Sequence, residues 1–164
     1  MITKWRTLSG DPVPDIEQFV ADAAAAGQAV HVGTDSLQTG RFTQFVTVVA
    51  VLTPMKGGRA AYTRAIVPRI ASLRERLLKE VWMSVELGLK LADKTPGDLN
   101  VHVDANPSER YMSSRYVQEL VGLVVGQGFK VLIKPDAWAA SHAADHVVRA
   151  LNGHRPYEQS AKAG

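Results

Sequence analysis

Hydrophobic and polar residues follow one another in a pattern that predicts a sheet flanked by helices. Segment 42–52, rich in Val, Thr and Phe, is typical of a long strand, the short apolar segment 29–35 predicts a strand before it, and segment 59–67 predicts a third strand after it. Short turns at 38–40 and 56–58 separate these segments. Because connections this short join antiparallel strands, the three segments predict a meander.

Helical and extended segments alternate after the predicted meander. Apolar residues recur at helical spacing over 68–93, and a further helix is predicted at 109–125. The short apolar segments 99–104 and 129–134 are expected to be strands. Because a helix precedes each of these two strands, they should run parallel through right-handed crossovers.

The two ends of the chain add a helix each. An alanine-rich helix is predicted at 14–26, before the first strand, and another at 139–151, followed by a polar tail at 152–164. We therefore expect a single domain over residues 1–151, of the α/β class. Its mixed five-stranded sheet, three antiparallel strands plus two parallel ones, should carry helices on its faces.

The composition of the chain excludes several classes of protein but does not indicate an activity. The 164 residues are 46% hydrophobic and contain no Cys, so neither a disulfide framework nor a thiolate zinc site is expected. No apolar stretch is long enough for a membrane-spanning helix, and the first residues do not resemble a secretory signal. A cytoplasmic location is therefore expected. The net charge of +3 permits an anionic partner but does not require one.

Two predicted strands end in similar sequences that carry a carboxylate. Strand one ends in Val-Gly-Thr-Asp35 and strand four in Val-His-Val-Asp104. If the strands are parallel neighbours, both carboxylates lie at the carboxyl edge of the sheet, where ligands gather. Paired carboxylates repel unless a cation lies between them, and Mg²⁺ prefers such oxygen ligands. Each Asp taken alone could instead form a turn or cap a helix.

Helices supply candidates for further acids. Glu80 flanks the apolar side of the helix after strand three, whereas Glu75 and Glu86 fall nearer its solvent-facing side. Glu80 could also be a solvated surface residue. His142 and Asp145 are three residues apart and share one face of the last helix. They could bind metal and transfer protons, or be a surface histidine and a helix-dipole partner.

Small polar, basic and aromatic residues near the same edge are candidates for substrate contact. They are Ser36, Gln38, Arg69, Arg74, Arg76, Asn106, Lys134 and Trp138. The arginines could contact phosphates or only solvate a helix. Trp138 could stack on a base or fill the core. Since no arginine-rich arm is present, affinity for nucleic acid should be modest and sensitive to salt.

The order of elements, with acids at Asp35, Glu80, Asp104 and Asp145, resembles the ribonuclease H-like fold. The segment His142-Ala-Ala-Asp145 is similar to the His-x-x-Asp helix of the RuvC Holliday-junction resolvases. The chain most resembles the YkuK-type family of bacterial ribonuclease H-like proteins, over about residues 28–150. The matching strings are Val32-Gly-Thr-Asp-Ser36, Val67-Pro-Arg69, Leu73-Arg-Glu-Arg-Leu77, Asp104-Ala-Asn-Pro107 and Lys134-Pro-Asp-Ala-Trp-Ala-Ala-Ser141.

This resemblance implies a nuclease that hydrolyses phosphodiester bonds in RNA or DNA with two Mg²⁺ or Mn²⁺ ions. Asp35 would bridge both ions, Asp104 and Glu80 would hold one, and Asp145 would hold the other. His142 would relay a proton or bind the second ion. The choice among RNA, DNA, hybrid and junction substrates stays open.

Some features depart from the ribonuclease H pattern and leave alternatives. The segment after strand five has no counterpart in ribonuclease H, and its Asp136 competes with Asp145 as the fourth acid. The chain could instead be a non-catalytic module that binds nucleic acid or a partner protein. The edge of strand three, 59–67, is expected to be open and able to pair with a second copy as a homodimer. An actin-like ATPase is disfavoured, because the chain lacks a phosphate-binding loop.

Overall fold

A computed structural model of the chain describes residues 4–53, 55–97, 99–134 and 136. The strands in these ranges are β1 (Trp5–Thr7), β2 (Pro12–Val13), β3 (Ala29–Thr39), β4 (Phe42–Thr53), β5 (Gly57–Pro68), β6 (Leu99–Val103) and β7 (Lys130–Ile133). The helices are α1 (Ile16–Ala25), α2 (Leu73–Leu91) and α3 (Val117–Gly126), with 3₁₀ turns at Ala92–Lys94 and Met112–Tyr116. The helix predicted at 139–151 and the tail at 152–164 lie outside the described residues.

The strands form one mixed sheet in the order β2-β1-β5-β4-β3-β6-β7. Strands β3, β4 and β5 are an antiparallel meander, while β6 runs parallel to β3 and β7 runs parallel to β6. The meander and the two parallel strands are thus confirmed. The fold is a mixed α/β sheet with helices packed on it.

The predicted count of five strands is wrong, because the described ranges contain seven. The two additional strands come from the first residues: β1 pairs with β2, and its Arg6 lies opposite Tyr62 of β5. Trp5 of β1 is only 7% exposed, so burial of its ring fixes a strand too short to show a periodic pattern. The edge of β5 was expected to be open, but β1 pairs with part of it. The predicted homodimer through this edge therefore gains no support.

Two predicted helices begin later than expected. Pro68 is the last residue of β5, opposite Phe42, and does not open a helix. Helix α2 starts at Leu73, where the Ser72 hydroxyl accepts a hydrogen bond from the Glu75 backbone N–H at 3.3 Å. Helix α3 starts at Val117, because the preceding residues form a 3₁₀ turn.

The three described helices pack on one face of the sheet. Their buried residues, among them Val20, Val85 and Leu120, share one core with the valines of that face. The other face has a smaller buried cluster of Val46, Val48 and Tyr62. None of the helices in the described ranges has the length and apolar character needed to cross a membrane.

The buried side of α2 differs from the predicted apolar face at three positions. Leu89, one of the apolar residues that recur at helical spacing in this segment, is exposed. Glu80 and Ser84 are buried instead. Polar groups on the buried side of a helix need partners, and their partners lie on β3.

Candidate functional site

Asp35 and Asp104 lie at the same level of the sheet, on neighbouring strands. Strands β3 and β6 are parallel and hydrogen-bonded, with Gly33 opposite His102. Asp35 follows Gly33 by two residues, and Asp104, the first residue after β6, follows His102 by two. The condition for bringing the two carboxylates together, parallel neighbouring strands, is therefore met. The expectation that strand one ends at Asp35 is wrong, because β3 stays paired with β4 as far as Thr39.

Glu80 of α2 faces the sheet and is only 5% exposed. The Ser36 hydroxyl donates a hydrogen bond of 2.5 Å to Glu80 Oε1. Ser36 also directs its backbone N–H to Asp35 Oδ1 at 2.7 Å. The alternative of a solvated surface Glu80 is thus wrong, and one serine contacts two of the predicted acids.

The pKa of Glu80 is raised to about 8, mainly by burial, and the negative charges of Asp35 and Asp104 contribute to this rise. The hydrogen bond from Ser36 and the positive charge of Arg76 act in the opposite direction. Because Asp35 and Asp104 both influence Glu80, the three carboxylates share one electrostatic environment. Glu80 is therefore largely protonated at neutral pH.

A network of buried hydroxyl groups fixes α2 over the sheet. Ser84 Oγ lies 2.8 Å from Thr34 Oγ1 and 3.1 Å from the backbone oxygen of Glu80. Thr34 Oγ1 in turn lies 3.0 Å from Thr47 Oγ1 on β4. The turn of α2 that carries Glu80 is thus tied to β3 next to Asp35.

Asp104 has a cationic partner. Its Oδ1 lies 2.5 Å from Lys134 Nζ, and the two side chains are 20% and 44% exposed respectively. Lys134 follows β7, and its backbone N–H donates to Ala105 O at 3.3 Å. Lys134, predicted to contact substrate, thus lies against one of the predicted metal ligands.

A histidine pair lies on the face of the sheet opposite the described helices. His31 Nδ1 and His102 Nε2 are 2.8 Å apart, and their rings meet edge to face. Burial lowers the pKa of His31, which favours the neutral ring. Strand alternation predicted that His31 shares a face with Asp35 and His102 with Asp104. The contact between the two histidines depends on the register of β3 against β6, which cannot be predicted from the sequence pattern.

Two of the predicted phosphate-binding arginines have partners within the chain. Arg69 Nη1 donates to Gly40 O at 3.0 Å and so braces the turn between β3 and β4. Arg74 forms an ion pair with Glu119 of α3, and this carboxylate raises the pKa of the guanidinium. Both side chains hold parts of the fold together.

The remaining candidates divide between the described loops and the rest of the chain. Asn106 Oδ1 accepts a hydrogen bond from the Ser108 N–H at 2.9 Å, which shapes the loop after Asp104. Asp136 is exposed, and its N–H donates to Ile133 O at 2.8 Å. The predicted residues Trp138, His142 and Asp145 lie outside the described residues.

The donor set suits a hard divalent ion in chemical kind. Carboxylate oxygens are the ligands that Mg²⁺ and Mn²⁺ prefer. Burial is the main cause of the raised pKa of Glu80, and the negative charges of Asp35 and Asp104, which add to it, are charges that a cation would offset. Within the described ranges, however, no group of three or more His, Asp and Glu side chains is arranged to hold an ion. Ser36 and Lys134 occupy oxygen atoms of Glu80 and Asp104 that an ion would need.

Comparison with known proteins agrees with this fold. Residues 12–149 match the family model described as Ribonuclease H-like. The chain is similar to the protein named "Uncharacterized protein YkuK" of Bacillus subtilis (strain 168), with 23% identity over 154 residues, 85% of this chain and 90% of that protein. No solved structure matches the chain. Membership of this family suggests a nuclease or nucleic-acid-binding role, and the chain belongs to the YkuK-type ribonuclease H-like family.

Proposed function

We propose that the chain is a divalent-metal-dependent nuclease that hydrolyses phosphodiester bonds in RNA or DNA. The observation that carries this proposal is the shared environment of Asp35, Glu80 and Asp104, in which burial, with a contribution from the two aspartates, raises the pKa of Glu80. Acids that perturb one another at the carboxyl edge of a sheet are typical of functional sites. The ribonuclease H-like family supplies the reaction class.

Each described acid has a distinct part in the proposed chemistry. Asp35 and Asp104 would hold a Mg²⁺ or Mn²⁺ ion from neighbouring strands, and Glu80 would join them after losing its proton. A bound ion would lower the pKa of a water molecule and stabilise the leaving oxygen of the phosphodiester. In the two-ion form of this chemistry, Asp145 or Asp136 would be the fourth acid, and His142 would transfer a proton.

Ser36 would position Glu80 for this chemistry. Its hydroxyl favours the ionised form of Glu80, because a hydrogen bond donated to a carboxylate lowers its pKa. Ser36 thus brings Glu80 closer to the deprotonated state that metal binding requires. The candidates for nucleic-acid contact are those predicted from the sequence, Ser36, Asn106, Lys134, Arg69 and Trp138, of which Trp138 lies outside the described residues.

A second candidate is a module that binds nucleic acid or a protein without cleaving it. The observation that favours it is the ion pair between Lys134 and Asp104, together with the lack of a three-residue metal group in the described part of the chain. In such a module the carboxylates would serve the fold alone.

A cleavage panel separates the two candidates. Labelled single-stranded RNA, single-stranded DNA, an RNA/DNA hybrid and a four-way junction would each be incubated with the wild-type chain and Mg²⁺ or Mn²⁺. The nuclease proposal predicts cleavage of at least one substrate, abolished by EDTA and by Asp35→Asn. Binding without cleavage of any substrate, unchanged by Asp35→Asn, would favour the module.

A further inference from the structure

The structure assigns to Lys134 the role of a built-in cation that competes with a divalent ion for Asp104. We infer that this competition limits the metal affinity of the site. The inference rests on the proposed function, because it concerns the same carboxylates. A lysine that limits metal binding is not implied by the resemblance to the family.

The ammonium group of Lys134 is positioned at Asp104 by the sheet. Lys134 Nζ lies 2.5 Å from Asp104 Oδ1. The backbone of Lys134 is held beside the same loop, since its N–H donates to Ala105 O at 3.3 Å. The adjacent residue, Ile133, pairs with Val103 at the end of β6. The ammonium is therefore directed to Asp104 by the sheet register and does not reach it from a remote flexible loop.

The ammonium group of Lys134 and a divalent ion are both positively charged. An ammonium group and a divalent ion cannot both lie against one carboxylate oxygen without strong repulsion. An ion that takes Asp104 Oδ1 as a ligand must therefore displace Nζ, and an ion at the other carboxylate oxygen would be repelled by the ammonium group. This requirement agrees with the lack of a three-residue metal group among the described residues.

The two side chains of this ion pair differ in their exposure to solvent. Asp104 is 20% exposed, whereas the Lys134 side chain is 44% exposed. Lys134 can therefore turn its ammonium to solvent while Asp104 stays in place. A pair of this kind can exchange its cation without unfolding the edge of the sheet.

Calorimetric titration with Mn²⁺ alone tests this inference. The wild type would be compared with Lys134→Met, which removes the charge, and with Lys134→Arg, which keeps it. Lys130→Met is the matched control, because Lys130 is the first residue of β7, the strand that leads to Lys134, and lies opposite Asn100, three residue pairs before Ile133 and Val103. Melting without metal would verify that each variant is folded, and Lys134→Gln would replace Lys134→Met if the latter does not fold.

The inference predicts that Lys134→Met and Lys134→Gln bind Mn²⁺ roughly tenfold more tightly than the wild type, because a competing charge is gone. Lys134→Arg and Lys130→Met should remain within about twofold of the wild type. Equal affinity in all variants would overturn this inference and leave the metal-dependent nuclease intact. If no variant binds Mn²⁺, both this inference and the metal-dependent reaction are overturned.

Discussion

Ser36 Oγ lies 2.5 Å from Glu80 Oε1, which joins β3 to α2 beside Asp35. Asp35 and Ser36 are consecutive on one strand, so their side chains point to opposite faces of the sheet. Asp35 contributes to the site from one face, while Ser36 reaches the helix on the other. The serine thereby ties the position of the helical acid to that of the strand acid.

Replacing Ser36 with Ala should destabilise the chain and raise the pKa of Glu80 further. Glu80 would lose a buried hydrogen bond, at a cost of about 1–3 kcal/mol in the free energy of unfolding. Urea denaturation at neutral pH measures this loss. The control is Ser108→Ala, on an exposed loop, and equal stabilities of the two variants would contradict the assigned hydrogen bond.

Glu80 should make the stability of the chain fall as pH rises. Its pKa is about 8 in the folded chain and near 4.5 ordinarily. Between these values the folded chain keeps a proton that the unfolded chain releases, so this contribution is complete below pH 4.5 and lost as pH passes 8. Glu80→Gln should remove this slope, and it should be the more stable protein above pH 8.

Denaturation of the wild type and of Glu80→Gln across this pH range measures the effect. His31, whose pKa is lowered by burial, contributes in the opposite direction, with stability lost as pH falls below its ordinary range. Since both proteins contain His31, the difference between them isolates Glu80. Parallel curves for the two proteins would contradict the raised pKa.

Mg²⁺ or Mn²⁺ should raise the melting temperature of the wild type. An ion at a hundred times its dissociation constant stabilises by about 2.7 kcal/mol, which corresponds to roughly 5–10 °C for a chain of this size. The response should grow as pH rises toward 8, because Glu80 must release its proton before it can bind an ion.

The double variant Asp35→Asn/Asp104→Asn should lose this thermal response. Glu86→Gln, an exposed acid on α2, should keep it at matched ionic strength. An equal shift in the wild type and the double variant would place the metal elsewhere. No shift in the wild type would argue against a metal site at this edge.

Trp5 should contribute far more to stability than Trp82. Trp5 is 7% exposed in the core beside β5, whereas Trp82 is 44% exposed on α2. Trp5→Ala should lower the free energy of unfolding by about 3–5 kcal/mol. Trp82→Ala should have an effect of about 1 kcal/mol or less. Comparable losses in chemical denaturation would contradict the docking of β1 onto the sheet.

Strand alternation predicted that Asp35 and Asp104 share one face of the sheet, because that argument needs only a period of two and parallel neighbours. Their common level depends in addition on the register of β3 against β6. The contacts of Ser36 with Glu80 and of Lys134 with Asp104 were not predictable in the same way. They depend on where α2 crosses the sheet and on the register of β7, and neither leaves a periodic trace in the sequence.

The errors in the predicted elements also have physical causes. Proline is compatible both with the first turn of a helix and with the end of a strand. Pro68 lies in the strand because it pairs with Phe42 of β4. Strand β1 has three residues, too few for a pattern, and it forms because Trp5 finds a buried position.

The rate of cleavage by Glu80→Gln, compared with that of Glu75→Gln, tests the central claim most directly. Both substitutions remove one carboxylate from α2, but Glu80 is buried at the acidic edge and Glu75 is exposed in the first turn. On the substrate cleaved by the wild type with saturating Mn²⁺, Glu80→Gln should lose about a hundredfold or more in single-turnover rate, and Glu75→Gln should match the wild type. Equal rates for the two variants would contradict a catalytic site built on Asp35, Glu80 and Asp104.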